Sequence, residues 1–441
     1  MIENQVISKR LEQIAVEVAR LKAQWQTDIA TLDASINAIL SGSTRDAFGR
    51  LRTSEPFSLF DSKQTFDNQP LIWDESLESG SGISSAHSTD TASTVITSTA
   101  STAGKFTRQT FMRFNYQPGK SQSINMTGIL VRDTSGTGVK RRIGYFDDNN
   151  GLFFEDSEGA VGVVRRTYVT GVAVDNRVEQ SAWNVDPMDG TGPSGITIDW
   201  SLTQIFSIDF EWLGVGRVRM GLNVDGATYI VHEFLNANVL DKVYMSTPNL
   251  PLRYQVETTA SSPAVTMECI CSSVISEGGQ AKNGALRYAS TQGTHVACAS
   301  ENVVYAIIGI RLKSTHIAET IDIEKVAIQI QDGSNTGEWI IILNPTVTGT
   351  FNYTGETNSG IEVGLGTGAP TVTGGTRLDG GFAQSTTGGG GSGGGTEAVL
   401  NAIRLGAAID GTVDEIVLCW MPNGGTSGHE IEGSIHWREL S

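Results

Sequence analysis

The amino-terminal segment carries an apolar repeat that restricts what this part of the chain can fold into. Its apolar residues recur at alternating steps of four and three, the heptad spacing of a coiled-coil seam, with one additional step of four at Trp25. No proline or glycine interrupts the pattern before Gly42. The pattern predicts a coiled-coil helix within residues 1–42. The seam residues, which we predict to mediate oligomerisation, are Ile7, Leu11, Ile14, Val18, Leu21, Trp25, Ile29, Leu32, Ile36 and Ile39.

A seam this long and narrow is buried best against copies of itself. The alternative is an amphipathic helix that lies on the chain's own folded body. Isoleucine at both kinds of core position favours three strands over two. We therefore predict a homotrimer.

The remainder of the chain has the composition of a turn-rich β protein. It contributes most of the 51 glycines among 441 residues, and they follow no three-residue period. In Ile205 to Trp212, apolar residues alternate with polar ones, which is the pattern of a half-buried strand. Asp225-Gly226 is a two-residue hairpin signal. Short strands without intervening amphipathic helices predict a mainly β fold of antiparallel β-sandwich domains, lectin-like or jelly-roll in type.

Shifts in composition set the expected domain boundaries. A connector rich in arginine and phenylalanine follows the helix, and we expect Arg45, Phe48, Arg50 and Arg52 to dock onto a neighbour. A tract of seven glycines and one serine at Gly388 to Gly395 is expected to be a flexible or extended loop. The predicted segments are a coiled-coil helix at 1–42, a connector and polar segment at 43–104, a β-sandwich at 105–276, a linker at 277–300 and a second β-sandwich at 301–441. Within the polar segment, Thr89 to Thr102 alternates small hydroxyl and β-branched residues, which fits either a polar edge strand or a flexible segment.

Charge and hydropathy exclude several classes of partner. The chain has 31 basic and 48 acidic residues, a formal charge of −17, and such a surface repels nucleic-acid phosphates. Charged residues interrupt the first turns where a secretory signal would need an apolar core. The longest run of aliphatic and aromatic residues, Trp339 to Leu343, is far shorter than the roughly 20 residues that span a bilayer. We expect a soluble chain that is synthesised in the cytosol, with no nucleic-acid partner and no membrane insertion.

Two carboxylates are the strongest candidates for catalysis. Asp209 and Glu211 lie two residues apart on one face of a predicted strand, as paired carboxylates do in some glycosidases with sandwich folds. The third acidic residue usual in such a motif is missing, and a solvated strand face explains both residues. We expect no catalytic residues.

No motif for a metal or cofactor is present. Asp147 to Gly151 superficially resembles a calcium loop, but the EF-hand register fails, so a polar hairpin turn is the better interpretation. The histidines lack metal-binding spacing, and the cysteines are expected to be inert buried thiols. Lys140-Arg141-Arg142 and Arg165-Arg166 are short basic groups that either contact a phosphorylated glycan or pair with nearby acidic residues. We expect neither a metal nor a cofactor.

Specific segments carry a resemblance to a known class of proteins. They are Asp46 to Arg52, Phe210 to Arg219 and Thr247 to Tyr254. Together they resemble segments of large structural proteins of tailed bacteriophages, over roughly Arg45 to Val274, with a looser match around Trp339 to Tyr353. The resemblance implies a virion location and supplies no catalytic set.

These observations lead to an expected function. We predict a non-enzymatic structural protein of a phage virion, a trimeric fibre or spike anchored by its amino-terminal coil. Its partners would be other virion proteins of the tail or capsid, and a host surface glycan that Trp183 or Trp200 could contact if they are exposed rather than core residues. The alternatives are a capsid decoration or head-spike protein, and a polysaccharide depolymerase that would use Asp209 or Glu211.

Overall fold

The structure is a computed structural model that describes residues 2–39, 54–133, 135–331, 333–385, 391–393, 404–424 and 428–440. It divides into two compact units, Met1–Glu55 and Pro56–Ser441. The connector residues Arg45, Phe48, Arg50 and Arg52 lie outside the described residues.

The first unit contains one long helix, α1, which spans Ile2–Ile39. At 1.5 Å per residue its 38 residues extend about 57 Å. Its side chains are described from residue 5 to residue 33. An ion pair of 2.7 Å between Glu17 and Arg20, three residues apart on the exposed surface, helps to stabilise the helix. The predicted helix is confirmed.

The second unit begins with a sandwich of two antiparallel sheets. The first sheet has eight strands, β1 (Phe57–Lys63), β3 (Ile83–Ser88), β4 (Ser93–Ser98), β6 (Gln122–Ile129), β11 (Gln204–Phe210), β12 (Val218–Val224), β13 (Ala227–Phe234) and β15 (Val265–Ser276). Its strand order is β13-β12-β11-β6-β15-β4-β3, with β1 also paired to β15. The second sheet has seven strands, β2 (Trp73–Gly80), β5 (Gly104–Thr110), β7 (Lys140–Phe146), β8 (Gly151–Ser157), β9 (Ala160–Thr167), β10 (Val174–Glu179) and β14 (Leu252–Thr258). Its strand order is β10-β9-β8-β7-β14-β5-β2.

The core of the first sandwich lies between the inward faces of these sheets. On β11, Phe206, Ile208 and Phe210 are buried, as the alternation in the sequence predicts. The rings of Phe206 and Phe210 pack against aromatic residues of the other sheet. The ring centroids lie 5.0 Å apart for Phe206 and Phe154 and 5.6 Å apart for Phe210 and Tyr145. Each fully buried aromatic side chain stabilises the sandwich by about 1.5–3 kcal/mol.

A second sandwich follows within the same unit. Its five-stranded sheet consists of β16 (Ala285–Ser290), β17 (Val296–Cys298), β19 (Thr320–Ile330), β24 (Gly391–Gly393) and β26 (His429–Leu440). The strand order of this sheet is β16-β26-β19-β24, with β17 paired to β26. Its six-stranded sheet consists of β18 (Tyr305–Leu312), β20 (Thr336–Leu343), β21 (Thr346–Gly355), β22 (Ile361–Thr373), β23 (Thr376–Gln384) and β25 (Glu415–Gly424). The strand order of this sheet is β21-β22-β18-β25-β20-β23. Trp420 and Trp437 lie in the core of this sandwich.

Strands also occupy the predicted polar segment and the predicted linker, and β4 lies where the sequence allowed either a polar edge strand or a flexible segment. Strands β1 to β4 lie within the predicted segment 43–104, and β16 and β17 lie within the predicted linker 277–300. The serine- and threonine-rich β4 pairs with β15 because its hydroxyls find buried partners. Ser93 donates to Glu268 at 2.7 Å, and Thr94 donates to Gln64 at 2.8 Å. Such partners are distant in sequence, so local composition does not reveal them.

Two glycine signals in the sequence have structural counterparts. Asp225 and Gly226, with φ of 51° and 81°, form the tight turn that joins β12 to β13. Within the glycine tract, Gly391–Gly393 forms the short strand β24 beside β19, and the other residues of the tract lie outside the described residues. In the described part of the chain, no helix is long and apolar enough to cross a membrane.

Candidate assembly site

The apolar seam of α1 faces solvent in the single chain. Trp25, at the additional step of four, is 73% exposed. The side chains of Ile36 and Ile39 lie outside the described set, although both residues belong to the helix. The other seam residues are 50–61% exposed, namely Ile7, Leu11, Ile14, Val18, Leu21, Ile29 and Leu32.

The seam is a row of exposed apolar side chains along one helix. Burying a leucine or isoleucine side chain completely contributes about 1.5–3 kcal/mol. Burying a row of such residues between helices would therefore strongly favour helix association. Val16 is also exposed but lies outside the heptad positions. The described seam residues are all apolar and carry no reactive group.

The predicted carboxylate pair is already engaged in structural contacts. Asp209 lies on β11, where it accepts hydrogen bonds from Arg219 and Ser121. Glu211 lies just beyond the end of β11 and accepts a hydrogen bond from the backbone N–H of Arg217 at 3.3 Å. The two carboxylates therefore hold neighbouring strands and a turn.

The predicted basic groups are mostly buried ion-pair partners. Arg141 is fully buried, and its Nη2 lies 2.9 Å from Asp133. Arg166 makes a bidentate contact with Asp175 of the adjacent strand, with distances of 2.7 and 2.9 Å. Pairing with local acidic residues, one of the two alternatives drawn from the sequence, describes these arginines. They are not a free anion-binding patch.

A chain of hydrogen bonds crosses the outer face of the seven-stranded sheet. Thr107 of β5 donates to Glu78 of β2 and accepts from Gln255 of β14 at 2.9 Å. Arg142 of β7 then donates to Gln255 at 2.5 Å and to Glu155 of β8 at 2.7 Å. Buried polar groups linked in this way fix the register of neighbouring strands. We call this set, together with Arg177, the polar ladder.

The ladder ends with a contact that passes over a glycine. Arg177 of β10 reaches across β9 to Glu155 of β8, with a distance of 2.9 Å from Nε to the carboxylate. It passes over Gly162, where an added Cβ would lie 3.1 Å from Arg177 Cζ and 2.8 Å from the carbonyl oxygen of Val178. Glycine at this position therefore leaves room for the arginine.

One carboxylate beside the ladder is held between two cations. Asp148 lies 2.8 Å from Arg253 and 3.0 Å from Lys105. Partial burial raises the pKa of Asp148, but the two positive charges outweigh this effect and lower the pKa to about 2. Asp148 therefore remains charged at neutral pH and links β5 and β14 to the turn after β7.

The other candidate ligand residues have structural contacts. Asp147 begins the turn between β7 and β8, where its carboxylate accepts the N–H groups of Asn149 and Asn150 at 2.9 Å. This is the predicted polar hairpin turn. Among the described residues, no group of three or more His, Cys, Asp or Glu residues could hold a metal ion.

The cysteines differ partly from expectation. All four are free thiols, and burial raises the pKa of the Cys269, Cys298 and Cys419 thiols. Cys271 is exposed, contrary to the expectation that all would be buried. A shift of register between Cys269 and Ser272 turns Cys271 away from the face that Cys269 occupies.

A cavity of about 740 Å³ lies within the second unit where the two sandwiches meet. Leu59 of β1 and Leu343 of β20 contribute apolar surface from either side. Arg404 Nε lies 3.2 Å from the buried carboxylate of Asp322, and burial raises the pKa of Asp414. These charged groups of the lining are engaged in internal contacts, so they stabilise the junction of the sandwiches.

Comparisons with known proteins assign the chain to no family. No protein-family model and no curated protein matches it. An endo-1,3-beta-glucanase from Streptomyces sioyaensis is similar at 14% identity and a TM-score of 0.33, covering 52% of this chain and 98% of that chain. The Emp46p carbohydrate recognition domain is similar at 10% identity and a TM-score of 0.30, covering 49% of this chain and 95% of that chain. The CBM2 module of the evolved Dit of Lactobacillus casei BL23 phage J-1 is similar at 6% identity and a TM-score of 0.31, covering 51% of this chain and 97% of that chain. Values this low establish neither common family nor shared activity.

Sequence reasoning identified the seam but missed the polar ladder. The only local signal was the alternation of Arg253, Gln255 and Glu257 on β14, which places polar groups on the outer face of a buried strand. Conversely, Trp183 is buried against Phe154 and Trp200 is partly buried, so neither forms an exposed platform for a sugar.

Proposed function

We propose that this protein is a non-enzymatic structural component of a bacteriophage virion, a homotrimeric fibre or spike. Its amino-terminal coil anchors it to tail or capsid proteins, and its sandwiches serve in particle assembly or host attachment. The observation that carries the proposal is the exposed heptad seam of α1, a 38-residue helix in a unit of its own.

The β unit supports a structural role through its internal contacts. Asp209, the strongest catalytic candidate, is engaged by Arg219 and Ser121. The segment Phe210 to Arg219, one of those that resemble phage virion proteins, forms the end of β11 and the turn into β12. Trp212 anchors this turn by donating its indole N–H to the carbonyl of Met245 at 3.2 Å. These contacts favour a rigid body over a reactive cleft.

Removal of residues 1–40 tests the anchoring role. Purified virions that contain the full-length chain should lack the truncated chain, although the truncated protein is still produced in infected cells. Quantitative mass spectrometry of the purified particles provides the measurement, with the full-length chain as the control. Truncated protein at the full-length level on virions would refute anchoring by the coil.

The position of the chain on the particle separates a projecting fibre or spike from a capsid decoration. Labelling the carboxy terminus and imaging intact particles by electron microscopy distinguishes the two. We expect label on projections of the tail or head that require residues 1–40. Label spread evenly over the capsid lattice would favour the decoration role.

A further inference from the structure

The outer face of the five-stranded sheet contains a shallow trough with a floor of small side chains. Ser290 of β16, Ser434 of β26 and Ala327 of β19 are paired across three adjacent strands in one row. Inward-facing neighbours such as Ile435 and Val326 are buried, so the row itself faces outward. These residues line a depression of about 390 Å³.

One wall of the trough presents amide and carboxylate groups. Gln329 of β19 is paired with Glu432 of β26, and Gln292 lies beside them in the loop after β16. Gln329 and Gln292 are exposed. Their amides can donate and accept hydrogen bonds. The carboxylate of Glu432 accepts a hydrogen bond from Gln331 and has lone pairs left to accept others. This wall suits a ligand that carries several hydroxyl groups.

An aromatic ring lies on the same sheet face beyond the other end of the trough. Tyr288 lies two residues before Ser290 on the same face, about 7 Å along the strand. Its ring stacks on that of His436, with centroids 5.5 Å apart and an interplanar angle of 24°, and yet it remains 68% exposed. His436 therefore holds the ring in place while leaving other ring surface open. Lys325 is paired with His436 on the neighbouring strand.

Charge on the trough is balanced. The ammonium of Lys325 offsets the carboxylate of Glu432, and burial, with a further contribution from Lys325, lowers the pKa of His436, so the imidazole is neutral at pH 7. The formal charge of the whole chain is −17, which disfavours polyanions. The exposed apolar surface on this strand is limited to Leu286 and Tyr288, too little for the roughly 1,600 Å² of a stable protein interface.

We propose that this trough binds a neutral oligosaccharide. One sugar ring packs its C–H face on Tyr288, and the hydroxyls of the adjoining sugar bond to Gln329 and Glu432 across the floor of small residues. The inference deepens the proposed function, on which it rests, by giving the chemical class that host attachment would recognise. Three copies in a trimer would raise the apparent affinity of an individually weak site.

Affinity electrophoresis of the full chain tests the proposal. Native gels that contain dextran, laminarin or galactomannan should retard the wild-type protein in at least one case. The Tyr288→Ala variant should bind that polysaccharide at least about tenfold more weakly. Leu286→Ala is the matched control, because Leu286 is 60% exposed on the same strand face but lies farther from the trough. It should bind like wild type.

The outcomes separate this inference from the proposed function. Retardation by none of the three neutral polysaccharides, retardation only by anionic alginate, or unchanged binding by Tyr288→Ala would each overturn the saccharide site. Light scattering on the same samples reports the oligomer independently. A trimer that binds no neutral polysaccharide refutes only the saccharide site. A monomer refutes the trimeric fibre, and affinity electrophoresis then still tests whether Tyr288 binds a saccharide.

Discussion

Asp148 joins two strands of the first sandwich because it lies between the cations of Arg253 and Lys105. Its folded pKa of about 2 is below the value of about 3.9 in an unfolded chain, so its contribution is present above pH 4 and is lost as pH falls toward 2. The carboxylate is 53% exposed, and we therefore expect no more than about 1 kcal/mol.

The variant Asp148→Asn should lower the urea midpoint at pH 7, and the difference from wild type should shrink as pH falls toward 3. Urea titrations between pH 3 and pH 7 measure this trend. Asp225→Asn, at an exposed hairpin turn, is the control and should show no comparable pH trend. A difference that stays constant or grows at low pH would contradict the assigned ion pairs.

Gly162 makes room for the last contact of the polar ladder. A methyl group here would approach Arg177 Cζ at 3.1 Å and the Val178 carbonyl oxygen at 2.8 Å. Gly162→Ala should therefore destabilise the protein by about 1–3 kcal/mol. Thermal denaturation measures the loss, and Gly136→Ala, whose methyl would have only ordinary contacts of 3.5 Å with Pro263, is the matched control. Equal melting temperatures for the two variants would argue against the ladder's close packing.

At the scale of the single element, the seam of α1 should control assembly. Leu21→Lys places a charge in the helix interface and should dissociate the trimer, because it removes at least about 2 kcal/mol of apolar burial per chain. Val16→Lys places the same charge on the same helix away from the seam, and should leave the trimer intact. Sedimentation velocity measures both. Loss of the trimer in both variants, or in neither, would contradict the seam.

The elements that the sequence predicts well are those with a strong internal period. The seam of α1 and the alternation of Phe206, Ile208 and Phe210 on β11 depend on neighbours within one segment. By contrast, the sequence left β4 open between a polar edge strand and a flexible segment, and β16 lies within the predicted linker. Each is stabilised by pairing with a strand near the end of its sandwich, β15 for β4 and β26 for β16. Local composition carries no record of such distant partners.

The candidate sites show the same division. The seam could be predicted because every contributing residue lies on one helix. The polar ladder joins Thr107 to Gln255, which are 148 residues apart, and the trough joins β16 to residues of β19 and β26. Their geometry depends on strand order and register, which a single sequence does not specify.

At the scale of the whole molecule, the proposed trimer has a thermodynamic consequence. Assembly through α1 would stabilise the helix by mass action, whereas each sandwich has its own core. The loss of helical circular dichroism should therefore occur at a temperature that rises with protein concentration. Melting curves over a hundredfold range of concentration measure this shift. A concentration-independent helix transition would indicate that α1 is stabilised within one chain.

The mass of the full-length chain in solution tests the central claim most directly. Size-exclusion chromatography with multi-angle light scattering should give about three times the 47.1 kDa of one chain. A mass of one chain at micromolar concentration would contradict assembly through the exposed seam of α1.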